Sequence, residues 1–458
     1  MFGSWGDAQW IAFAFVFLGI ALIAGLLVRR ALPFLGRLYI PASVIAGFLI
    51  VLVGPQALGA WTGGRVELLP GPVAVVLSHL PGLLINVVFA GIMLGKRLPS
   101  LRTIWGTAEP HVLMGGIYAF GQMALGAFAV VLILTPFFGL PEAAGSIMEA
   151  SFAGGHGTIA GIGGLFTAVG APELIDVGLA LATISIVTGT VIGFVLVNWA
   201  IRSPKVDVAR KHTDQVSKAS RLSEIAPNLG DTAGDVGLGA ISRAFGAICI
   251  SLLLGLLLLW GLRELTHAFG AELFDDFPLF PFALVGGFLV QLALSLLRRE
   301  ELVSRRTVND ISGLSLDLLI AAAIGTLSLA AVGAHIWSIV ILTAISVAWS
   351  VIGLLWLGPR LFATHWFDRA IPNFGQSQGN VATGFILADM SDPDRRTGAA
   401  VGFGYRQLFL APVVGGGVLT AFSVPVIQAI GSLWFGVIAA VLAALLAWWG
   451  IRRARRRA

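Results

Sequence analysis

Long, uninterrupted apolar stretches recur along nearly the whole chain, and they constrain its fold more than any other feature. A helix needs about 20 consecutive apolar residues to cross a lipid bilayer, so each such stretch predicts a membrane helix. The sequence is therefore expected to form an all-α polytopic membrane protein. The predicted helices cover residues 8–28, 38–54, 78–95, 110–135, 174–200, 243–262, 279–297, 311–333, 336–357, 399–422 and 431–450.

Composition supports this fold class and narrows the function. Apolar residues make up 57% of the 458 residues and charged residues only 12%, which is about half the charged share of an average soluble domain. The single cysteine excludes a disulfide within the chain. There is no nucleotide-binding loop, no His/Cys metal spacing and no Ser-His-Asp signature. We therefore expect no enzyme activity, no cofactor other than a coupling ion, and no nucleic-acid partner.

The basic residues predict how the helices are oriented. Lys and Arg gather after the first and third predicted helices, in the 202–242 linker, in alternate later loops and in the C-terminal tail. Because basic loops stay in the cytoplasm, an inner (plasma) membrane protein is expected, with its N-terminus outside and its C-terminus inside. This orientation requires that two Gly-rich segments, about 143–168 and 371–390, do not cross the membrane. Both are predicted to be re-entrant, the first from outside and the second from inside.

Two halves of the chain resemble each other in sequence. With five crossings in each half, the second half would be inverted relative to the first, an arrangement typical of secondary transporters. The predicted domains are a first five-helix repeat (1–201), a cytoplasmic linker (202–242), a second repeat (243–425), and an extra transmembrane helix with a basic tail (426–458). The matching pairs are Ile40–Ile50 with Phe280–Val290, Pro81–Ile92 with Ser312–Ile324, and Phe152–Ile162 with Phe374–Gly384.

The first Gly-rich segment, SFAGGHGTIAGIGGLF, has the composition of a broken membrane helix. Glycines permit backbone shapes that a regular helix forbids, and the opened N–H and C=O groups then attract carboxylates or Na⁺. The alternative is that the glycines only allow tight packing while the histidine makes a structural hydrogen bond. The substrate-binding candidates here are Gly154, Gly155, His156, Gly157 and Thr158.

The second segment, NFGQSQGNVATGFILADM, is rich in neutral hydrogen-bonding side chains. Amides and hydroxyls can hold a polar substrate or ligate Na⁺ without burying much charge. The alternative is a polar cytoplasmic loop. The candidates are Gln376, Ser377, Gln378, Gly379, Asn380 and Thr383.

Arg406 follows the second segment and could pair with a substrate carboxylate. The competing interpretation, which the sequence favours, is that Arg406 extends to the membrane interface or pairs with Asp389 or Asp392.

Three further polar residues in predicted helices are candidate Na⁺ ligands. Asn86 and Asp317 occupy equivalent positions in the two halves, and a carboxylate within a membrane helix is costly enough to indicate function. The alternative for Asp317 is a role in helix packing. Thr183, with Ser185 and Thr188, could line a site, although hydroxyls also bond to their own helix.

Several short stretches together resemble one known family. They are Gly154–Thr158 (GGHGT), Ile40–Gly47, Gly313–Ala323, Ala382–Met390 and Val413–Gly416. Through these stretches, residues 38–425 resemble the bacterial glutamate:sodium symporter family. The resemblance implies two inverted five-helix domains, each with a re-entrant segment, that couple Na⁺ entry to L-glutamate uptake in a homodimer. It also implies substrate or ion contacts at 154–158 and 376–383.

The sequence leaves more than one function open. We expect sodium-coupled symport of L-glutamate or a related anionic amino acid. The alternative is a proton- or sodium-coupled carrier of another organic carboxylate, in which Asp317 and His156 would titrate. A passive channel with the broken segments as its filter is less favoured.

Overall fold

A computed structural model describes residues 5–38, 40–63, 68–96, 101–209, 238–270, 274–275 and 277–456. Within these ranges every regular element is helical. Most of the predicted linker, residues 210–237, lies outside the described residues. The helices are α1 Asp7–Ala31, α2 Pro33–Arg37, α3 Ala42–Val53, α4 Gly71–Gly91, α5 Leu101–Ala129, α6 Thr135–Phe138, α7 Ile147–Glu149, α8 His156–Ala168, α9 Glu173–Arg202, α10 Leu238–Ala268, α11 Phe280–Leu296, α12 Arg305–Gly325, α13 Leu329–Ala334, α14 Ile336–Leu361, α15 Trp366–Ser377, α16 Val381–Ser391, α17 Ala399–Leu410 and α18 Val418–Arg455.

The described part of the chain contains nine helical stretches that are long and apolar enough to cross a membrane. This confirms the prediction of an all-α polytopic membrane protein. The five-residue stretches Pro55–Gly59, Val130–Leu134 and Ala150–Gly154 are π-helical, and Glu142–Ser146 is a 3₁₀ helix. Such irregular turns often mark functional positions in helical proteins.

The predicted helix 399–422 is not continuous. It is interrupted between Leu410 and Val418, because Pro412 cannot donate a backbone hydrogen bond and Gly415 and Gly416 adopt left-handed conformations with φ of 70° and 97°. In contrast, the predicted gap before residue 431 is helical, and α18 runs through it with a kink at Gly431. The predicted extra helix is therefore the second part of α18.

The chain forms two compact units, and each unit combines segments from both predicted repeats. Unit 1 consists of the described residues within Met1–Lys96, His156–Leu179 and Asp231–Ala334. Its helices pack closely at small residues: a Cβ atom on Gly47 of α3 would lie 2.5 Å from the Ile324 Cβ of α12. Ala90, Leu94, Ile248 and Val308 belong to its buried core.

Unit 2 consists of the described residues within Arg97–Gly155, Ala180–Gly230 and His335–Ala458. The amphipathic helix α15 lies at its core, where Phe367 and Phe374 are fully buried. The long helices α5 and α18 pack along each other, and α14 packs against both. This unit contains the second Gly-rich segment and the first part of the first one.

Candidate functional site

The first Gly-rich segment is broken at Gly155, which has φ of 80° and ψ of −170°. Glycine adopts this conformation without the steric cost that a side chain would add. Before the break lies the π-helical turn Ala150–Gly154, and after it α8 begins at His156. The chain passes from unit 2 to unit 1 at this break, so Gly154 and Gly155 belong to unit 2, and His156, Gly157 and Thr158 belong to unit 1.

In unit 1, the start of α8 packs against α4 and α12 at Gly157. A Cβ atom there would lie 3.0 Å from Ile85 Cδ1 and 3.5 Å from Leu316 Cδ1. The next residues along those two helices are Asn86 and Asp317, so both predicted Na⁺ ligands belong to the helices that pack against the start of α8 within unit 1. His156 and Thr158 are buried.

Asn86 and Asp317 differ in their surroundings. The Asn86 amide donates to the carbonyl oxygens of Gly82 and Leu83 on its own helix, at 2.8 and 3.1 Å. Asp317 is exposed on the surface of unit 1. The role of Asp317 as an ion ligand and the alternative role in helix packing both stay predictions.

The second Gly-rich segment is a pair of short helices, α15 and α16, joined at Gln378–Asn380. Asn380 is in an extended conformation, and its side-chain oxygen accepts a hydrogen bond from Thr383 N at 2.9 Å, which caps α16. The side chains of Gln376, Ser377, Gln378 and Thr383 are all at most 5% exposed. The alternative of a solvated polar loop is therefore wrong.

The Gln378 side chain is the centre of a buried hydrogen-bond network in unit 2. Its Oε1 accepts from the Ser346 and Ser350 hydroxyls of α14 at 3.0 and 3.1 Å. Its Nε2 donates to Thr188 Oγ1 of α9 at 3.2 Å. Gln122 of α5 extends the network by donating to the Ser377 carbonyl at 2.8 Å and to Ser346 at 3.1 Å.

The network distinguishes the candidate residues on α9 by whether they take part in it. Thr188 accepts the hydrogen bond from Gln378, while Ser185 bonds only within its own helix, to the Ala182 carbonyl. Thr183 is half-buried, lies five residues before Thr188, and also belongs to unit 2. Gly379 is buried at the junction of α15 and α16.

Arg406 of α17 is buried beside this network, with only 4% of its surface exposed. Its Nη1 donates to Gln376 Oε1, which also accepts from Gln407 Nε2 at 2.7 Å. Its Nε has no hydrogen-bond partner among the described residues. The guanidinium lies directly against Gly115 of α5, where a Cβ atom would clash with it.

The interpretation that Arg406 reaches the membrane interface or pairs with an aspartate is wrong. Asp389 lies 3.5 Å from Arg395, and Asp392 accepts hydrogen bonds from the backbone N–H groups of Arg396 and Thr397. None of the ion pairs found among the described residues includes Arg406.

Sequence analysis missed Glu149, which ends α7 just before the broken turn. Its carboxylate is fully buried, and Oε1 accepts from Gly415 N at 2.6 Å while Oε2 accepts from the Thr420 hydroxyl at 3.0 Å. Gln122, Ser346 and Ser350 were also missed. For Glu149 and Gln122 the available signal was a polar residue inside an otherwise apolar stretch.

The chain was compared with known families and proteins. No curated protein matches it. A family model described as sodium/glutamate symporter matches residues 10–357, which is more than half of the 458 residues. The match includes the first broken segment, Glu149 and Asp317, and it ends before the second segment and Arg406. The chain therefore belongs to the sodium/glutamate symporter family and is a membrane transporter.

Proposed function

We propose that this protein is a secondary active transporter that couples the inward movement of Na⁺ to the uptake of L-glutamate or a related anionic amino acid. The observation that carries the proposal is the buried guanidinium of Arg406, whose protein partners are neutral. The family supports sodium and glutamate as the transported pair.

A buried cation without an anionic partner is costly in an apolar interior. Arg406 contacts the amide of Gln376 and the ring of Phe403, whose centroid lies 5.5 Å from the Arg406 Cζ atom. Neither group supplies negative charge. A carboxylate would accept two parallel hydrogen bonds from the guanidinium and complete its neutralisation. A substrate carboxylate is the natural source of that charge.

The second segment would hold the polar remainder of the substrate. Gln376 is shared between Arg406 and Gln407, so it can fix the guanidinium in position for a carboxylate. The first turn of α16 presents backbone N–H groups, with Asn380 and Thr383 at its start. Gly154–Thr158 are separately proposed as substrate or ion contacts, since helix N-termini such as the start of α8 attract anions.

The number of sodium ions carried with each substrate determines whether transport moves net charge across the membrane. Glutamate carries one net negative charge, so transport with a single Na⁺ would be electroneutral and driven by the sodium gradient alone. Each additional cation would also use the membrane potential, which supplies about 2.3 kcal/mol per charge at 100 mV. Because about 1.4 kcal/mol is a factor of ten, that contribution is large. Asp317, Asn86 and Thr183 are proposed ligands for these ions.

The remaining expectations belong to the same proposal. The two halves would be inverted five-helix repeats, each with a re-entrant segment, within a homodimer in the bacterial inner membrane. The basic loops support an outside N-terminus and a cytoplasmic C-terminus. Cysteine accessibility at the two ends of α5 would test this orientation.

The direct test of function is uptake of labelled L-glutamate into proteoliposomes with an inward Na⁺ gradient, compared with an equal K⁺ gradient. We expect accumulation only with Na⁺. Accumulation driven by a pH gradient without Na⁺ would instead indicate a proton-coupled carrier. Flux that does not saturate with substrate would indicate a channel. If glutamate is not accumulated under any gradient, other carboxylates would be screened as substrates under the same gradients.

A further inference from the structure

We infer that Glu149 is the anionic ligand of a sodium site at the break between α17 and α18. The inference rests on the proposed symport for the role of the ion, and it assigns the coupling site to residues of unit 2. Three observations carry it: a buried carboxylate without a cationic partner among the described residues, the buried hydroxyls of Thr420 and Ser146, and the opened backbone beside Glu149.

The first observation is the charge. Glu149 is fully buried, and none of the ion pairs found among the described residues includes it. Its hydrogen-bond partners are one backbone N–H, from Gly415, and one hydroxyl, from Thr420. Two neutral donors do not neutralise a carboxylate in an apolar interior. A bound cation would supply the missing charge.

The second observation is the pair of buried hydroxyl groups of Thr420 and Ser146, of which Thr420 contacts the Glu149 carboxylate at 3.0 Å. Ser146 lies one helical turn before Glu149, which places the two side chains on the same face. Ser146 is fully buried, and its hydroxyl has no hydrogen-bond partner among the described residues. Such oxygens are costly to bury and are suitable ligands for a hard cation.

The third observation is the backbone. α17 ends at Leu410, and the connection to α18 contains two consecutive glycines in left-handed conformations. Within it, Gly416 N donates to Thr420 Oγ1 at 3.2 Å. The carbonyl end of α17 carries partial negative charge, and carbonyls released at broken helices coordinate Na⁺ in other transporters. The irregular turn Ala150–Gly154 follows Glu149 directly.

This site is separate from Arg406. Arg406 lies against Gly115 of α5. Met148, the residue before Glu149, lies against Gly126 of the same helix, where a Cβ atom would be 3.1 Å from the Met148 Cβ. At 1.5 Å per residue, these two levels of α5 are about 16 Å apart. Arg406 therefore does not pair with Glu149, and neither side chain has an oppositely charged partner among the described residues of unit 2. One would take the substrate carboxylate and the other the sodium ion.

The test is binding of radiolabelled Na⁺ to the purified full-length protein in detergent, without glutamate. We expect Glu149→Gln, which keeps the side-chain shape but removes the charge, to lower Na⁺ affinity on the order of tenfold or more. Thr420→Val removes one oxygen and keeps the carboxylate, so a smaller loss is expected. Thr420→Val also tests the site if Glu149→Gln does not fold. The matched control is Glu142→Gln, an exposed glutamate seven residues earlier, which should bind like the native protein.

Unchanged Na⁺ binding in both Glu149→Gln and Thr420→Val would overturn the inference. Binding of a proton instead of Na⁺ at Glu149 would also overturn the inference. It would appear as a thermal unfolding temperature that depends on pH but does not change when Na⁺ is added. Because the assay contains no substrate, a failure of glutamate uptake does not affect its outcome. Loss of Na⁺ binding in Glu149→Gln together with absent glutamate uptake would uphold the ion site and refute only the substrate.

Discussion

Arg406 Nη1 donates a hydrogen bond to Gln376 Oε1, and this bond connects α17 to the second Gly-rich segment. The arginine would gain its only anionic partner from the substrate. Arg406→Gln should therefore lower substrate affinity by about 2 kcal/mol or more, which is about 30-fold. Arg406→Lys keeps the charge but loses the planar fork, so an intermediate loss is expected.

Arg395→Gln is the matched control for these variants. Arg395 is 40% exposed and pairs with Asp389 at 3.5 Å, and exposed ion pairs contribute little to stability. We expect native affinity in this variant when half-saturating glutamate is measured in proteoliposomes. Native affinity in Arg406→Gln would remove the arginine from the substrate site.

Gly115 of α5 provides an independent test of the same guanidinium. A Cβ atom at this position would clash with the Arg406 side chain, so Gly115→Ala must displace it. We expect weaker substrate binding without any change of charge. Gly106→Ala, on the same helix with no atom within 4 Å of its Cβ position, is the control. Equal half-saturation for the two variants would show that the arginine position does not matter.

The Gln378 network should matter for stability. Gln378→Leu would leave Ser346, Ser350 and Thr188 without this partner in a buried region. Each unsatisfied buried polar group costs about 1–3 kcal/mol, so a clear fall in the thermal unfolding temperature is expected. Asn198→Ala, which removes an exposed amide bonded within its own helix, should have little effect. Equal melting of the two variants would contradict a structural role for the network.

Sequence analysis predicted the helices well wherever the length of the apolar stretch alone determines where a helix begins and ends. The predicted helix 174–200 is observed as Glu173–Arg202, because nothing interrupts its hydrophobic run. The break in the first Gly-rich segment was also predicted, since consecutive glycines favour non-helical backbone. The interruption between α17 and α18 was not, because hydrophobicity continues through Pro412 and Val414.

The composition of the candidate site was harder to predict. The polar residues of the second Gly-rich segment were identified, but their hydrogen-bond partners were not. The partner on α5 is more than 200 residues away in the sequence, and the partner on α14 is about 30 residues away. Such pairings depend on tertiary packing, which a local pattern does not encode. Glu149 was missed because a single acidic residue between apolar neighbours gives no spacing to recognise.

Asp368 should make the stability of unit 2 depend on pH. It is buried at the start of α15, where Ala209 N donates to Oδ2 at 3.1 Å and His365 Nδ1 lies at 3.8 Å. Burial raises the pKa of Asp368 from 3.8 to about 7, opposed by the Ala209 hydrogen bond and assisted by Asp392 and Asp207. The folded state therefore holds this proton more tightly than the unfolded state.

The sign follows from this difference. The stabilisation is complete below the unfolded value of 3.8 and is lost as the pH rises through about 7. Thermal unfolding in detergent should show the native protein losing stability between about pH 5 and about pH 8 relative to Asp368→Asn. Glu142→Gln, at an exposed carboxylate of unit 2 that does not contribute to the shift of Asp368, should retain the native pH profile. Identical profiles for the native protein and Asp368→Asn would refute the prediction.

Asp317 tests whether unit 1 holds a second cation. Because its side chain is exposed, Asp317→Asn should change the free energy of unfolding by no more than about 0.5 kcal/mol. If Asp317 binds Na⁺ during transport, this variant should lose ion coupling, seen as glutamate uptake that depends less steeply on Na⁺ concentration. Asp310→Asn, two turns earlier on α12 and also exposed, is the control. Full Na⁺-dependent uptake with native steepness in Asp317→Asn would exclude Asp317 as a ligand and leave Glu149 as the proposed carboxylate for the coupling ion.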